Sequence, residues 1–137
     1  MTLFELLHQS HDIQRSLCRR LTATRGNSAQ RELLFLQLKI ELEAHAAAEE
    51  RFVYCPILLT DAGLSVSRHA LAEHHDIEEY CEDLSVRGKG GDEWLATARS
   101  IFPLADKASD EPTADLLTQR LTVHEQTAWM LRSLLEN

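Results

Sequence analysis

The stretch HAAAEERFVYCPIL, residues 45–58, sets a histidine and a glutamate four residues apart and then runs on in apolar residues. Four residues is a little more than one turn of an α-helix, so His45 and Glu49 share a face. A carboxylate heading into a core beside Phe52 and Val53 needs a partner that offsets its lost hydration. What the rest of the chain brings to the same level therefore decides the fold.

Working outward, Ser28 can cap a long helix that carries Leu38, Leu42 and Phe52 on the face of His45 and ends before Asp61, Ala62 and Gly63. Pro56 should bend that helix or end it early, because proline has no backbone donor and crowds the preceding turn. Upstream, Thr2 and Glu5 form a capping box, and Phe4, Leu7, Cys18 and Leu21 recur at helical spacing. This predicts a first helix over residues 3–24 that stops in RGNS, residues 25–28. Downstream, LSVS at residues 64–67 opens a helix that reaches about Ser85 and breaks in RGKGG. Asp92 can cap a short segment containing Trp94, Leu95, Ala98 and Ile101, interrupted by Pro103. A last helix starts near Pro112, a residue suited to a first turn, and carries Leu117, Leu121, Ala128, Leu131 and Leu135 almost to Asn137. The expectation is an all-α, up-down-up-down four-helix bundle of one domain over residues 1–137, with one extra short helix before the last long one.

Composition agrees. The 137 residues are 44% apolar and only 6% aromatic, a mixture that favours helix over sheet and is long enough to bury a core. The formal net charge of -8 and the lack of a basic stripe with interleaved aromatics argue against nucleic acid as a partner. The opening MTLFELLHQSHD carries no positive leader or apolar run of secretory length, and no window approaches a membrane span. A cytoplasmic protein without a membrane partner is expected. Cys18, Cys55 and Cys81 have no CxxC spacing and read as buried apolar packers in a reducing compartment. Trp94, Phe102 and Trp129 can cover the bundle or form a homodimer contact.

One histidine falls on the apolar stripe of each long helix: His11, His45, His74 and His124. Each lies within about three residues of its helix's middle, roughly 5 Å along the axis, so matched antiparallel helices bring them to one level. Glu49 points to the same place. Buried imidazoles with a carboxylate are costly to desolvate unless something binds and neutralises them, and a divalent metal does both. His69 and His75 face away from the third helix's stripe, and His8 borders the first.

The patches HDI at His11, HAAAEERFVYCPIL at His45, EHHDIEEY around His74 and LTVHEQTAWML around His124 resemble the hemerythrin-like, or HHE cation-binding, family. The second-helix patch is the most specific, and the resemblance covers nearly the whole chain. It implies a bundle with a non-haem di-iron centre that binds dioxygen, nitric oxide or peroxide for carriage, sensing or stress defence. Carried over, His11, His45, Glu49, His74 and His124 become metal ligands. The chain departs from the pattern at Ala128, four residues after His124, where a second bridging glutamate is implied. Glu125 is rotated by about 100° from His124 and substitutes poorly. Glu78, one turn after His74, is the better candidate, and a second metal should bind more weakly. Ala128 either packs at a tight crossing or opens a ligand pocket.

Two readings follow. In one, the protein binds non-haem iron and binds or senses a small oxidant, with weak peroxidase activity at most. In the other, a divergent bundle with a mononuclear, zinc-filled or empty site serves as a regulatory or interaction module. Nucleophilic hydrolysis has no support, since G-x-S-x-G and HExxH are both missing from the sequence.

Overall fold

The computed structural model describes residues 2–107, 130 and 132–134 of the chain. The structure is all-helical, in the order α1 (Leu3–Thr22), α2 (Ala29–Glu49), a π-helical turn (Glu50–Tyr54), α3 (Cys55–Ile57), α4 (Asp61–Val86) and α5 (Asp92–Lys107). The helix expected from Pro112 onward, with His124, Ala128 and Trp129, lies outside the described residues. No helix among the described residues is long and apolar enough to cross a membrane.

Both expected caps are formed. The Glu5 amide donates to Thr2 Oγ1 at 3.1 Å while the Thr2 amide donates to the Glu5 carboxylate at 2.7 Å. The Arg31 amide donates to Ser28 Oγ at 3.1 Å. These contacts satisfy backbone donors that a helix start leaves without partners. Between the two helices Gly26 takes a left-handed φ of 62°, which favours glycine.

Three boundaries differ from expectation. Phe52 was expected on the core face of the second helix, yet it is 53% exposed, while Val53 and Tyr54 are buried at 1% and 2%. Pro56 explains the shift: it cannot donate to the carbonyl of residue 52 and crowds it, so the helix widens into a π turn just before it. The Cys55 amide then donates five residues back, to Glu50, and the inward face slips by one position. The same turn leaves Cys55 exposed, against the expectation of three buried thiols; all three cysteines are free.

The second difference is the start of α4, which takes in Asp61, Ala62 and Gly63 instead of waiting for Leu64. Thr60 caps it, accepting from the Gly63 amide at 3.0 Å. The chain turns there so tightly that a Cβ on Gly63 would lie 2.2 Å from the Ile57 carbonyl oxygen. Third, α5 begins at Asp92 itself and runs through Pro103 for 16 residues. Pro103 and Arg99 are exposed, so water can take the carbonyl that proline leaves without a donor. The inner face, Trp94, Ala98, Ile101 and Ala105, stays buried.

The helices run alternately up and down, with α5 packed between α1 and α4 and α2 on the far side of α1. Among the described residues α2 and α4 touch less than α1 does with α2 or α5. One apolar cluster, with Leu21, Leu34, Leu38, Leu84 and Ile101, fills the lower bundle. Trp94 seals its end: its ring meets Phe35 edge-on at 5.5 Å, its Nε1 donates to the Leu84 carbonyl at 3.0 Å, and the Arg31 guanidinium lies 5.4 Å above it. Of the two uses expected for the aromatics, Trp94 therefore covers the bundle from within. A second cluster of Leu7, Val53, Tyr54 and Ile57 fills the upper end.

Replacing Gly63 by alanine should destabilise the protein by about 1–3 kcal/mol, the usual cost of forcing a methyl into filled space. Urea unfolding measures this; an unchanged midpoint would mean that the turn between α3 and α4 yields freely.

Candidate metal centre

Between the two apolar clusters lies a polar layer built on Glu49. Its side chain is 1% exposed, and His11, His45 and His74 around it are 6%, 6% and 8% exposed. His45 and Glu49 come from successive turns of α2, His11 from α1 and His74 from α4. The His45 Nε2 lies 2.8 Å from Glu49 Oε1, and the His74 Nε2 lies 3.0 Å from Glu49 Oε2. The His11 Nε2 is 3.9 Å from Glu49 Oε1, too far for a hydrogen bond, and its ring centroid is 4.3 Å from that of His45. The ligand atoms of His11, His45 and Glu49 all lie within 4.8 Å of one another, a spacing that could hold one cation.

Two further side chains, which sequence spacing did not single out, hold the outer ring nitrogens. Ser10 Oγ is 2.9 Å from His45 Nδ1. Glu50 Oε1 is 3.0 Å from His74 Nδ1. Both residues are adjacent to a site residue in sequence, about 100° around the helix from it, and each reaches a ring on another helix. Tyr54 adds an edge contact to the His74 ring at 6.0 Å.

The charge pattern asks for a cation. Burial would raise the Glu49 pKa, but hydrogen bonds and charge from His45 and His74 outweigh it and hold the carboxyl down to about 2. Burial lowers the His74 pKa, and its bonds to Glu49 and Glu50 more than reverse this, so the net shift is upward. Burial, with His45 alongside, brings His11 down to about 4, so it is neutral at neutral pH. His11 Nε2 is the buried side-chain atom that finds no hydrogen-bond partner among the described residues. The Glu50 carboxylate can only accept, so His74 Nδ1 carries a proton, and a neutral His74 then turns its Nε2 lone pair on Glu49 Oε2. Two acceptors at 3.0 Å need a proton or a metal ion between them. The donors suit a metal held by imidazole nitrogen and carboxylate oxygen. Thiolate is not among them: burial pushes Cys81 up to about 11 and Cys18 up to about 12.

A cavity of about 280 Å³ opens along the thin seam between α2 and α4, with His45, His74, Glu50 and Cys81 on its wall. Glu78 also lines it but is exposed, outside the cluster around Glu49. His69 and His75 are exposed and pair with Glu73 and Glu79 one turn along their own helix, at 3.0 and 3.2 Å. His8 is exposed and lies against Phe4, with ring centroids 6.2 Å apart. His124 and Ala128 lie outside the described residues.

Comparison with known proteins adds one match. The family model of the hemerythrin HHE cation binding domain covers residues 2–127. No curated protein and no solved structure matches the chain.

The depressed pKa of His11 sets an acid dependence in metal-free protein. Below pH 6.5 the unfolded chain takes a proton on this residue that the folded chain refuses until about pH 4, so stability falls as pH falls through that window. His74 acts in the opposite sense, its contribution full below the unfolded value and lost as pH rises through its raised folded value. His11→Leu removes only the first effect. With metal chelated, the loss of Tm between pH 6.5 and pH 4.5 should be smaller in His11→Leu than in wild type; equal losses would show that His11 ionises freely in the folded chain.

Proposed function

Since the chain belongs to the hemerythrin HHE cation-binding domain family, we propose that the layer around Glu49 holds non-haem iron as a di-iron centre and binds or senses a small oxidant: dioxygen, nitric oxide or peroxide. The observation that carries this reading is that both oxygens of one buried carboxylate are met by imidazole nitrogens from two helices, at 2.8 and 3.0 Å, while the Nε2 of a third imidazole finds no hydrogen-bond partner among the described residues. A carboxylate so placed can join two metal positions.

In this reading His11, His45 and Glu49 would hold one ion, and Glu49 with His74, and with His124 as the family pattern implies, would hold the second. Bound iron supplies the open coordination position and the change of oxidation state that an oxidant requires. The residues do the rest. Leu42, Ala46 and Ile77 line the inner part of the cavity's wall beside His45 and His74, and Lys39, Glu43, Glu50, Glu78 and Glu82 make the rest of it charged, so a small molecule can reach the layer through it. Ala128 leaves out the second carboxylate that the family pattern implies, so the second ion is held more loosely. Glu50, already hydrogen-bonded to His74, is better placed than the exposed Glu78 to make up the charge. The free thiols, two of them protonated in the core, fit a protein of the reducing cytoplasm.

Elemental analysis of untagged protein purified without added metal tests this. More than one iron per chain is expected, with coloured protein, and His45→Ala should lose most of the metal together with several degrees of Tm, since metal binding free energy is also folding free energy. Ala128→Glu should raise the metal content toward two. Zinc alone, or a single ion that Ala128→Glu leaves unchanged, would favour a mononuclear or interaction module, because His11, His45 and Glu49 by themselves form a one-ion group.

A further inference from the structure

Ser10 makes three polar contacts with its one hydroxyl. It donates a short hydrogen bond to Glu41 Oε1 on α2, receives one from Gln14 Nε2 at 3.3 Å, and lies 2.9 Å from His45 Nδ1. A serine hydroxyl has one proton to give and two lone pairs to receive with. The Glu41 carboxylate can only accept, so the proton is committed there. Gln14 uses one lone pair. The contact to His45 must then be accepted by Ser10, which places a proton on Nδ1. A neutral imidazole protonated at Nδ1 carries its lone pair on Nε2, the atom 2.8 Å from Glu49 Oε1.

From this we infer that Ser10, turned outward by Glu41, is a positioning residue of the centre: it holds His45 in the one tautomer whose Nε2 can bind a metal at Glu49. The inference rests on the metal reading above and adds a residue and a mechanism to it. Glu41 matters as much as Ser10. Without that carboxylate the hydroxyl can rotate and give its proton to Nδ1. His45 then protonates at Nε2, donates to Glu49 Oε1, and the centre satisfies itself without a metal. With Glu41 present this escape is closed to a neutral His45, because Nδ1 already holds its one proton; a second proton or a metal ion must then fill the contact between Nε2 and Glu49 Oε1. The negative charge behind the hydroxyl also makes Nε2 a stronger donor, as outer partners of metal-bound histidines do. The relay crosses from α1 to α2 at the residue next to His11, so it also ties the two helices that supply the three-residue group.

Zinc, which has no unpaired electrons, is the probe. Its affinity is read by competition with a chelator, and the His45 ring nitrogens by long-range proton–nitrogen NMR of the full chain. Ser10→Ala and Glu41→Ala should each weaken zinc binding by about 10- to 100-fold, the range for outer partners of metal-bound histidine. Ser10→Thr, which keeps the hydroxyl, should return most of it. In the metal-free variants lacking Ser10 or Glu41, His45 should lose the proton on Nδ1, which wild type should keep. Wild-type affinity with unchanged His45 nitrogens in Glu41→Ala would overturn the role of the relay, whether or not Ser10→Ala folds. Wild-type protein that takes up neither zinc nor iron would overturn the metal reading itself, and the two failures are told apart by that first titration.

Discussion

Glu49 is the constraint around which the bundle is arranged. A carboxylate that is 1% exposed is tolerable only if each oxygen is met by a group that offers positive charge or a proton. Three helices answer that demand with His11, His45 and His74, which fixes their rotation and their height relative to one another. The apolar stripes then have no freedom of register. Leu7 and Tyr54 must fall on one side of the layer, and Leu38 and Leu84 on the other.

Much of this is legible in the residues. Thr2 and Ser28 announce two helix starts because capping is a local event between residues three apart. The histidines of the first three helices announce a shared level because helical period alone turns them inward. The misread positions all depend on distant context. Phe52 looks like a core residue until the widened turn before Pro56 rotates it out. Asp61 and Gly63 look like a loop, yet the close return of the chain over Ile57 makes them the first turn of α4. Pro103 looks like a stop, but a buried inner face holds α5 together while the missing bond falls on the solvent side. Ser10 and Glu50 were overlooked for a different reason: each owes its role to a partner on another helix, and no spacing within one segment reports that.

The bundle is uneven by design of its packing. At the lower end the Arg31 guanidinium is 2% exposed and donates to Thr24 Oγ1 at 2.8 Å, to the Thr24 carbonyl at 2.7 Å and to the Lys89 carbonyl at 2.6 Å, with Trp94 beneath it. A buried cation satisfied so fully locks that end, because removing any one acceptor would leave part of it without a partner. The candidate centre is the reverse case. Its ring nitrogens and carboxylate oxygens outnumber the protons that neutral histidines can supply, and a cavity lies beside it between α2 and α4.

That contrast bears on how the centre could respond to a ligand. A change in charge at Glu49 acts on the elements that meet there, α1 through His11, α2 through His45 and α4 through His74, and the cavity lies between the last two. The Arg31 and Trp94 end is tied by its hydrogen bonds, whereas the π turn before Pro56 follows Glu49 directly and interrupts the regular ladder of α2. In the proposed reading, a change of charge at a bound metal would reach α4 through the two contacts of His74, with Glu49 Oε2 and Glu50 Oε1.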